Sequence, residues 1–386
     1  MATLAHAPSR TGTGTGGRTG GGTGTPAPKG SVRHLGPNWY AAVMGTAIVA
    51  NAGAALPFTA AGPRPAYQAV WALSALMLLT LLAARAVHWV RHGDQARRHL
   101  LDPAVAPFYG CTAMALLAVG GGTLAVGREV IGAPAALAAD AVLWSLGTLV
   151  GLAAAAAIPY LMVTRHRIDP GSASPVWLLP LVAPMVSAAL GPALVPYLPA
   201  GPWQRTLLFA CYALFGMSLL ATLLVLPLVL SRLIHHGPLP LALTPTLFLV
   251  LGPLGQSTTA VTNLAHVAPG VVDASLAPAM GAFAVLYGVP VMGFALLWLA
   301  LATAMVVRAF RDGMGFAMTW WGFTFPLGTC VTGAAGLARQ TGLGAFDGLA
   351  VALYALLVTA VAVAFTRTAL GLARGHLLAP PRPVTP

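Results

Sequence analysis

Ten apolar runs, each close to or above the roughly 20 residues that carry a helix across a bilayer, follow one another along this chain of 386 residues. They lie near 38–57, 67–89, 107–126, 135–163, 175–197, 203–231, 241–266, 278–307, 316–338 and 346–369, and the loops between them are too short to form domains. A water-soluble fold could not hide this much apolar surface. Only 7% of the residues are charged, against about 25% in ordinary soluble domains. The sequence therefore reads as an all-α integral membrane protein of ten transmembrane helices, consecutive ones pairing as five hairpins.

The formal net charge of +12 would suit nucleic-acid binding if the basic residues shared one soluble face. They do not, so no nucleic-acid partner is expected. With the N-terminus inside, every lysine and arginine falls on the cytoplasmic side except Arg64, Arg128, Arg205 and Arg339. A wrong helix count would scramble that alternation. The positive-inside rule thus predicts a multi-pass protein of the cytoplasmic (inner) cell membrane with both termini cytoplasmic. Residues 1–33, rich in Thr and Gly, read as a disordered leader rather than a cleavable signal peptide. The membrane domain spans 34–372, and 373–386 form a cytoplasmic tail.

Polarity is not shared evenly among the runs. The first carries Thr46 and Asn51, the third Thr112, and the fifth Pro180, Pro184 and Ser187. The seventh has Pro253, Gln256, Thr259, Asn263 and His266, and the ninth Phe325, Pro326, Thr329 and Thr332. The even runs are mostly Leu, Ala and Val, though Pro159, Pro227 and Pro290 interrupt them. Proline and glycine breaks at membrane depth are tolerated only against protein or a water-lined cavity. An inner ring of odd helices inside an outer ring of even ones satisfies that condition. The polar residues named would line its pore, and Pro180, Pro184, Pro253 and Pro326 would kink it. Packing between helices is the other use of such small polar residues.

A pore lined by hydroxyls and amides, without fixed negative charge, favours small anions. Cation conduction would need acidic residues along the path. The candidates for intramembrane charge are peripheral: Arg85 can snorkel from the end of the second run, Asp140 lies near the outer start of the fourth and His266 near the outer end of the seventh. No paired histidines, carboxylate pair or nucleophile with its base points to catalysis, a cofactor or a metal. Cys111, Cys211 and Cys330 sit singly in apolar runs as packing residues.

Several stretches carry a family resemblance in the expected order. These are Pro37–Val49, Leu100–Phe108, Trp177–Pro184, Gly252–Ser257 (GPLGQS) and Trp320–Gly328 (WWGFTFPLG). They resemble the tellurite-resistance/dicarboxylate transporter (TDT) family, which includes bacterial TehA, fungal malate and sulfite transporters and plant slow-type anion channels. Ala47 stands where that family has Gly, and Asp102 where it has His. The resemblance implies a homotrimer with one pore per subunit, plugged at mid-membrane by a phenylalanine of the ninth helix. Phe325 is the natural match, with Phe323 the alternative. GPLGQS points first to C4-dicarboxylates such as malate. Sulfite or tellurite-related efflux and slow-type chloride or nitrate conduction are the alternatives.

Overall fold

The computed structural model describes residues 32–57, 63–169, 171–375 and 377. Almost all of the leader and much of the tail lie outside the described residues. Among those described, every element is helical: α1 (Tyr40–Ala55), α2 (Arg64–Arg91), α3 (Gly93–Leu101), α4 (Tyr109–Gly122), α5 (Arg128–Ile131), α6 (Ala133–Thr164), α7 (Leu178–Leu190), α8 (Pro202–His236), α9 (Leu251–Val267), α10 (Leu276–Arg311), α11 (Thr324–Thr341) and α12 (Gly344–Ala373). A π turn at Thr123–Gly127 joins α4 to α5.

Seven helical stretches among the described residues are long and apolar enough to cross a membrane. The shortfall from ten lies in α1, α9 and α11. At 16 and 17 residues α1 and α9 are too short by themselves, and Thr, Gln, Gly and Pro dilute the hydropathy of α9 and of the 18-residue α11. Such residues are affordable because these helices face protein rather than lipid. α8 outruns its predicted segment by five residues, to His236, before Gly237 ends it with a φ of 73°. The polar turn carrying Arg232 and His235 continues the helix beyond the apolar run. The stretch read as a loop after the second run contains α3, a short polar helix that buries Ala96.

Burial divides the helices sharply. In α2, α6, α8, α10 and α12 only 22–28% of the most apolar window is buried, against 83% for the stretches around α4 and α7. α1, α9 and α11 are buried along almost their whole length. The buried five pack in a closed circle, α1 on α4, α4 on α7, α7 on α9, α9 on α11 and α11 on α1. Each carries an exposed helix on its outer side: α2 on α1, α6 on α4, α8 on α7, α10 on α9 and α12 on α11. The lone cysteines are all free and buried.

Every inner helix begins in a 3-10 turn, at Pro37–Trp39, Ala106–Phe108, Pro175–Trp177, Leu241–Val250 and Met318–Phe323. Three of the predicted kinks resolve differently for this reason. Pro180, Pro253 and Pro326 are each the third residue of their α-helix. A proline there removes an N–H that has no intrahelical partner anyway. They mark the junction of 3-10 and α geometry and do not bend a helix. Pro184 alone of the four is interior.

Glycine sets the closest approach in the circle. A Cβ on Gly255 of α9 would lie 2.5 Å from the backbone N of Cys330 and the backbone carbon of Thr329 on α11. Backbone cannot step aside as a flexible side chain does, so Gly255→Val should destabilise by about 1–3 kcal/mol through overpacking. A clear drop in the melting temperature of detergent-solubilised protein is expected; an unchanged melt would mean the α9–α11 seam is looser than drawn.

Arg85 does not snorkel. It is 4% exposed and donates from Nη1 to the Leu35 carbonyl at 2.6 Å and from Nη2 to the Tyr109 hydroxyl at 3.3 Å. It ties the segment before α1 to α2 and α4. Beside it the His99 ring of α3 stacks on His88 at 5.4 Å. Burial, then the Arg85 charge and His88, hold His99 below its ordinary histidine value.

Candidate functional site

Within the circle lies a chamber of about 200 Å³, and all five inner helices contribute to its wall. α1 gives Ile48, Asn51 and Ala55, α9 gives Gln256, Thr259 and Asn263, and α11 gives Phe325, Thr332 and Arg339. The spacings follow from helix geometry: residues seven apart fall two turns apart on one face. α4 and α7 present small or apolar groups, among them Ala118, Gly121, Val186 and Leu190.

A second, far smaller chamber of about 10 Å³ lies toward the N-terminal ends of the same helices, walled by Met44, Met114, Leu179, Val182, Gly252 and Phe325 among others. Phe325 is the one residue common to both walls. Its ring is 2% exposed and stands between the two spaces, at the point where the 3-10 turn gives way to α11. Phe323 is elsewhere. It lies edge-on to Phe248 with centroids 4.9 Å apart and packs near Trp320, in an aromatic cluster that lines neither chamber.

The predicted pore-lining residues separate into two groups. Asn51, Gln256, Thr259, Asn263 and Thr332 come together around the larger chamber. Thr46, Thr112, Ser187, Thr329 and His266 do not line it. Thr46 is buried and spends its hydroxyl on the Ala42 carbonyl. Thr112 lines a groove on the outer side of the circle with Arg85 and Tyr109. Ser187 turns to α6, where Thr148 donates to it at 2.9 Å. Thr329 is sealed in the α9–α11 seam with the Pro326 carbonyl as acceptor at 2.7 Å, and His266 is exposed at the end of α9. An inner helix has polar residues on several faces, and only one face looks inward.

Arg339 is the residue that sequence reasoning missed. The sequence places it on the outer side, one residue past the ninth apolar run, whereas it lies in the last turn of α11 and lines the chamber. The signal was present: Phe325, Thr332 and Arg339 repeat at intervals of seven. At the same end of the molecule Arg64 pairs with Glu129, and Arg205 with Asp273 at 3.6 Å. Arg339 has no carboxylate within ion-pair distance among the described residues. The described lining includes no Asp or Glu. Asp140 is buried, but behind the wall, its carboxylate 2.7 Å from where a Cβ on Gly120 would sit.

Hydrogen bonding fixes the chamber's polar character. Asn51 donates from Nδ2 to the Ala118 carbonyl and Asn263 from Nδ2 to the Ala189 carbonyl, each at 2.9 Å. Thr259 and Thr332 share a 2.7 Å hydrogen bond and also reach the backbone carbonyls of Gly255 and Thr329, both at 3.0 Å. The hydroxyls expected to act as donors toward an anion are thus committed inside the wall. Positive charge in the chamber comes from Arg339.

The comparisons with known proteins agree with this arrangement. A family model described as a voltage-dependent anion channel (SLAC1) matches residues 34–369. An uncharacterized transporter of Methanocaldococcus jannaschii is 26% identical over 340 residues, covering 87% of this chain and 93% of its own. Sulfite efflux pumps of Trichophyton rubrum and Arthroderma otae are each 27% identical over 326 residues, covering 82% of this chain and 85% of theirs. A match running through every inner and outer helix settles the class: the chain belongs to the SLAC1 family of voltage-dependent anion channels and is a multi-pass membrane protein for anion transport.

Proposed function

We propose that this chain passes small anions through the space enclosed by its five inner helices, with Phe325 as the plug. In this reading ten segments cross the cytoplasmic membrane as five hairpins, both termini lie inside, and three copies assemble with one pore each. One observation carries it: the Phe325 ring is shared by two chambers that lie in line inside the circle. A bulky apolar ring in a narrow passage blocks flow by filling space and excluding water. Arg339 at the wide end raises the local concentration of anions and repels cations.

Among substrates, sulfite leads. The curated relatives with a stated activity are named as sulfite efflux pumps, while the case for malate rests on GPLGQS at Gly252–Ser257. Tellurite-related efflux and chloride or nitrate conduction follow. Purified protein in liposomes, offered sulfite, malate, nitrate and chloride in turn, should move sulfite fastest and potassium not at all. Anion flux no greater than in protein-free liposomes would overturn the reading.

A further inference from the structure

On the outer side of the circle a groove of about 400 Å³ runs between α2 and α6, near the ends that the proposed topology sets in the cytoplasm. Its sides are apolar: Leu82, Ala86 and Trp89 come from α2, and Val150, Ala157 and Ile158 from α6. Ala86, Trp89, Val150 and Ala157 are exposed, so the groove opens where lipid lies against the protein. Its floor is polar, with Arg85, Tyr40, Tyr109 and Thr112. The partners of Arg85 are neutral, the Leu35 carbonyl and the Tyr109 hydroxyl. It has no carboxylate within ion-pair distance among the described residues. The described lining includes no Asp or Glu, and Asp94 of α3 is taken by Arg33 at 2.6 Å. Thr46 and Thr259 bond a carbonyl one turn back. The hydroxyl of Thr112, a half-buried residue, makes no such bond among the described residues and is not sealed from the groove.

A cation held this deep without a counter-charge is costly in a membrane. A small anion arriving from water would meet Arg85 but leave the apolar sides bare. A neutral tail would cover the sides and leave the guanidinium and the Thr112 hydroxyl unmet. An amphiphile with an anionic head satisfies both, and basic pockets between transmembrane helices on the cytoplasmic side bind such headgroups. We propose that this groove is a binding site for an anionic phospholipid of the cytoplasmic leaflet, its phosphate held by Arg85 and Thr112 and one acyl chain laid between α2 and α6. Arg85 also holds Leu35 ahead of α1 and Tyr109 at the start of α4. The lipid therefore braces the inner ends of two helices of the circle. The choice of leaflet rests on the proposed topology, whereas the site itself depends on neither the chamber nor Phe325.

The test offers delipidated protein in neutral detergent either phosphatidylglycerol or phosphatidylcholine with matched acyl chains. Retained lipid is counted by native mass spectrometry, beside a thermal melt. Phosphatidylglycerol should be held at a concentration about five- to tenfold lower than phosphatidylcholine, the worth of one basic residue against an anionic headgroup. It should also raise the melting temperature by a few degrees, and inorganic phosphate at equal concentration should not. Arg85→Gln should remove the preference, but it also unties Leu35 and risks unfolding, so two milder variants carry the test. Thr112→Val keeps the side-chain shape and loses the hydroxyl, and Ala157→Phe fills the groove from an exposed position on α6. Each should cut the preference about threefold or more while melting like the wild type in lipid-free detergent. Equal retention of the two lipids, an equal rise with inorganic phosphate, or a preference untouched in both variants overturns the proposal. So does high-yield cross-linking of Ala157→Cys between copies, which would put a second chain in the groove. Anion passage is read by flux and stands or falls apart from these outcomes.

Discussion

Phe325→Ala should raise anion flux by about a hundredfold in liposomes. The ring is the one side chain shared by the two chambers, so trimming it to a methyl joins them into one path. If the constriction contributes as little as about 3 kcal/mol to the barrier, its removal gives that factor. Phe→Ala in a packed core costs about 3–5 kcal/mol. Here the ring borders an open chamber on one side, so the loss of stability should sit at or below the bottom of that range. Phe325→Leu should give an intermediate flux, and Phe323→Ala should leave flux near the wild-type value because that ring packs with Phe248 and Trp320 instead. Wild-type flux from a Phe325→Ala protein that elutes and melts normally would remove Phe325 from the path.

Arg339→Gln should weaken anion capture by about tenfold at low solute concentration. Two unit charges about 4 Å apart attract by about 4 kcal/mol at an effective dielectric of 20. Arg339 is exposed at the wide end of the chamber, so solvent and salt reduce that to about 1–2 kcal/mol. The loss should appear in the concentration for half-maximal flux more than in the maximal rate, and should shrink as ionic strength rises. Arg339→Lys keeps the charge and should keep most of the capture. An equal loss in the lysine variant would point to the planar guanidinium rather than to charge. No change in either variant would separate Arg339 from the route of the anion.

Arg339 also shows where sequence reading stops. Its charge, its place just beyond the ninth apolar run and the topology rule all point to the outer loop, yet α11 runs two residues past it to Thr341. Arg85 misled in the opposite direction. Its long side chain can reach for water from the end of its helix, and instead its guanidinium is met by the Leu35 carbonyl and the Tyr109 hydroxyl. Both errors have one cause: sequence gives the position of a charge along a helix but not the partners that neighbouring elements bring to it. The prolines teach the same lesson, because Pro326 looks interior until the 3-10 turn at Met318–Phe323 puts it third in a new helix.

What the sequence determined by itself is the set of long helices and their division into two kinds. Length and hydropathy require apolar runs of this size to be helical and to lie in lipid or against each other. The amides, hydroxyls, glycines and prolines of α1, α4, α7, α9 and α11 mark them as the helices that avoid lipid. What only the tertiary structure decided is which face of each inner helix looks into the chamber. A helix surrounded by protein on all sides has no apolar stripe opposed to a polar one, so its periodicity holds no direction. Thr332 faces the chamber and Thr329, one turn away, is sealed against α9, and the difference comes from where Gly255 lets α9 approach.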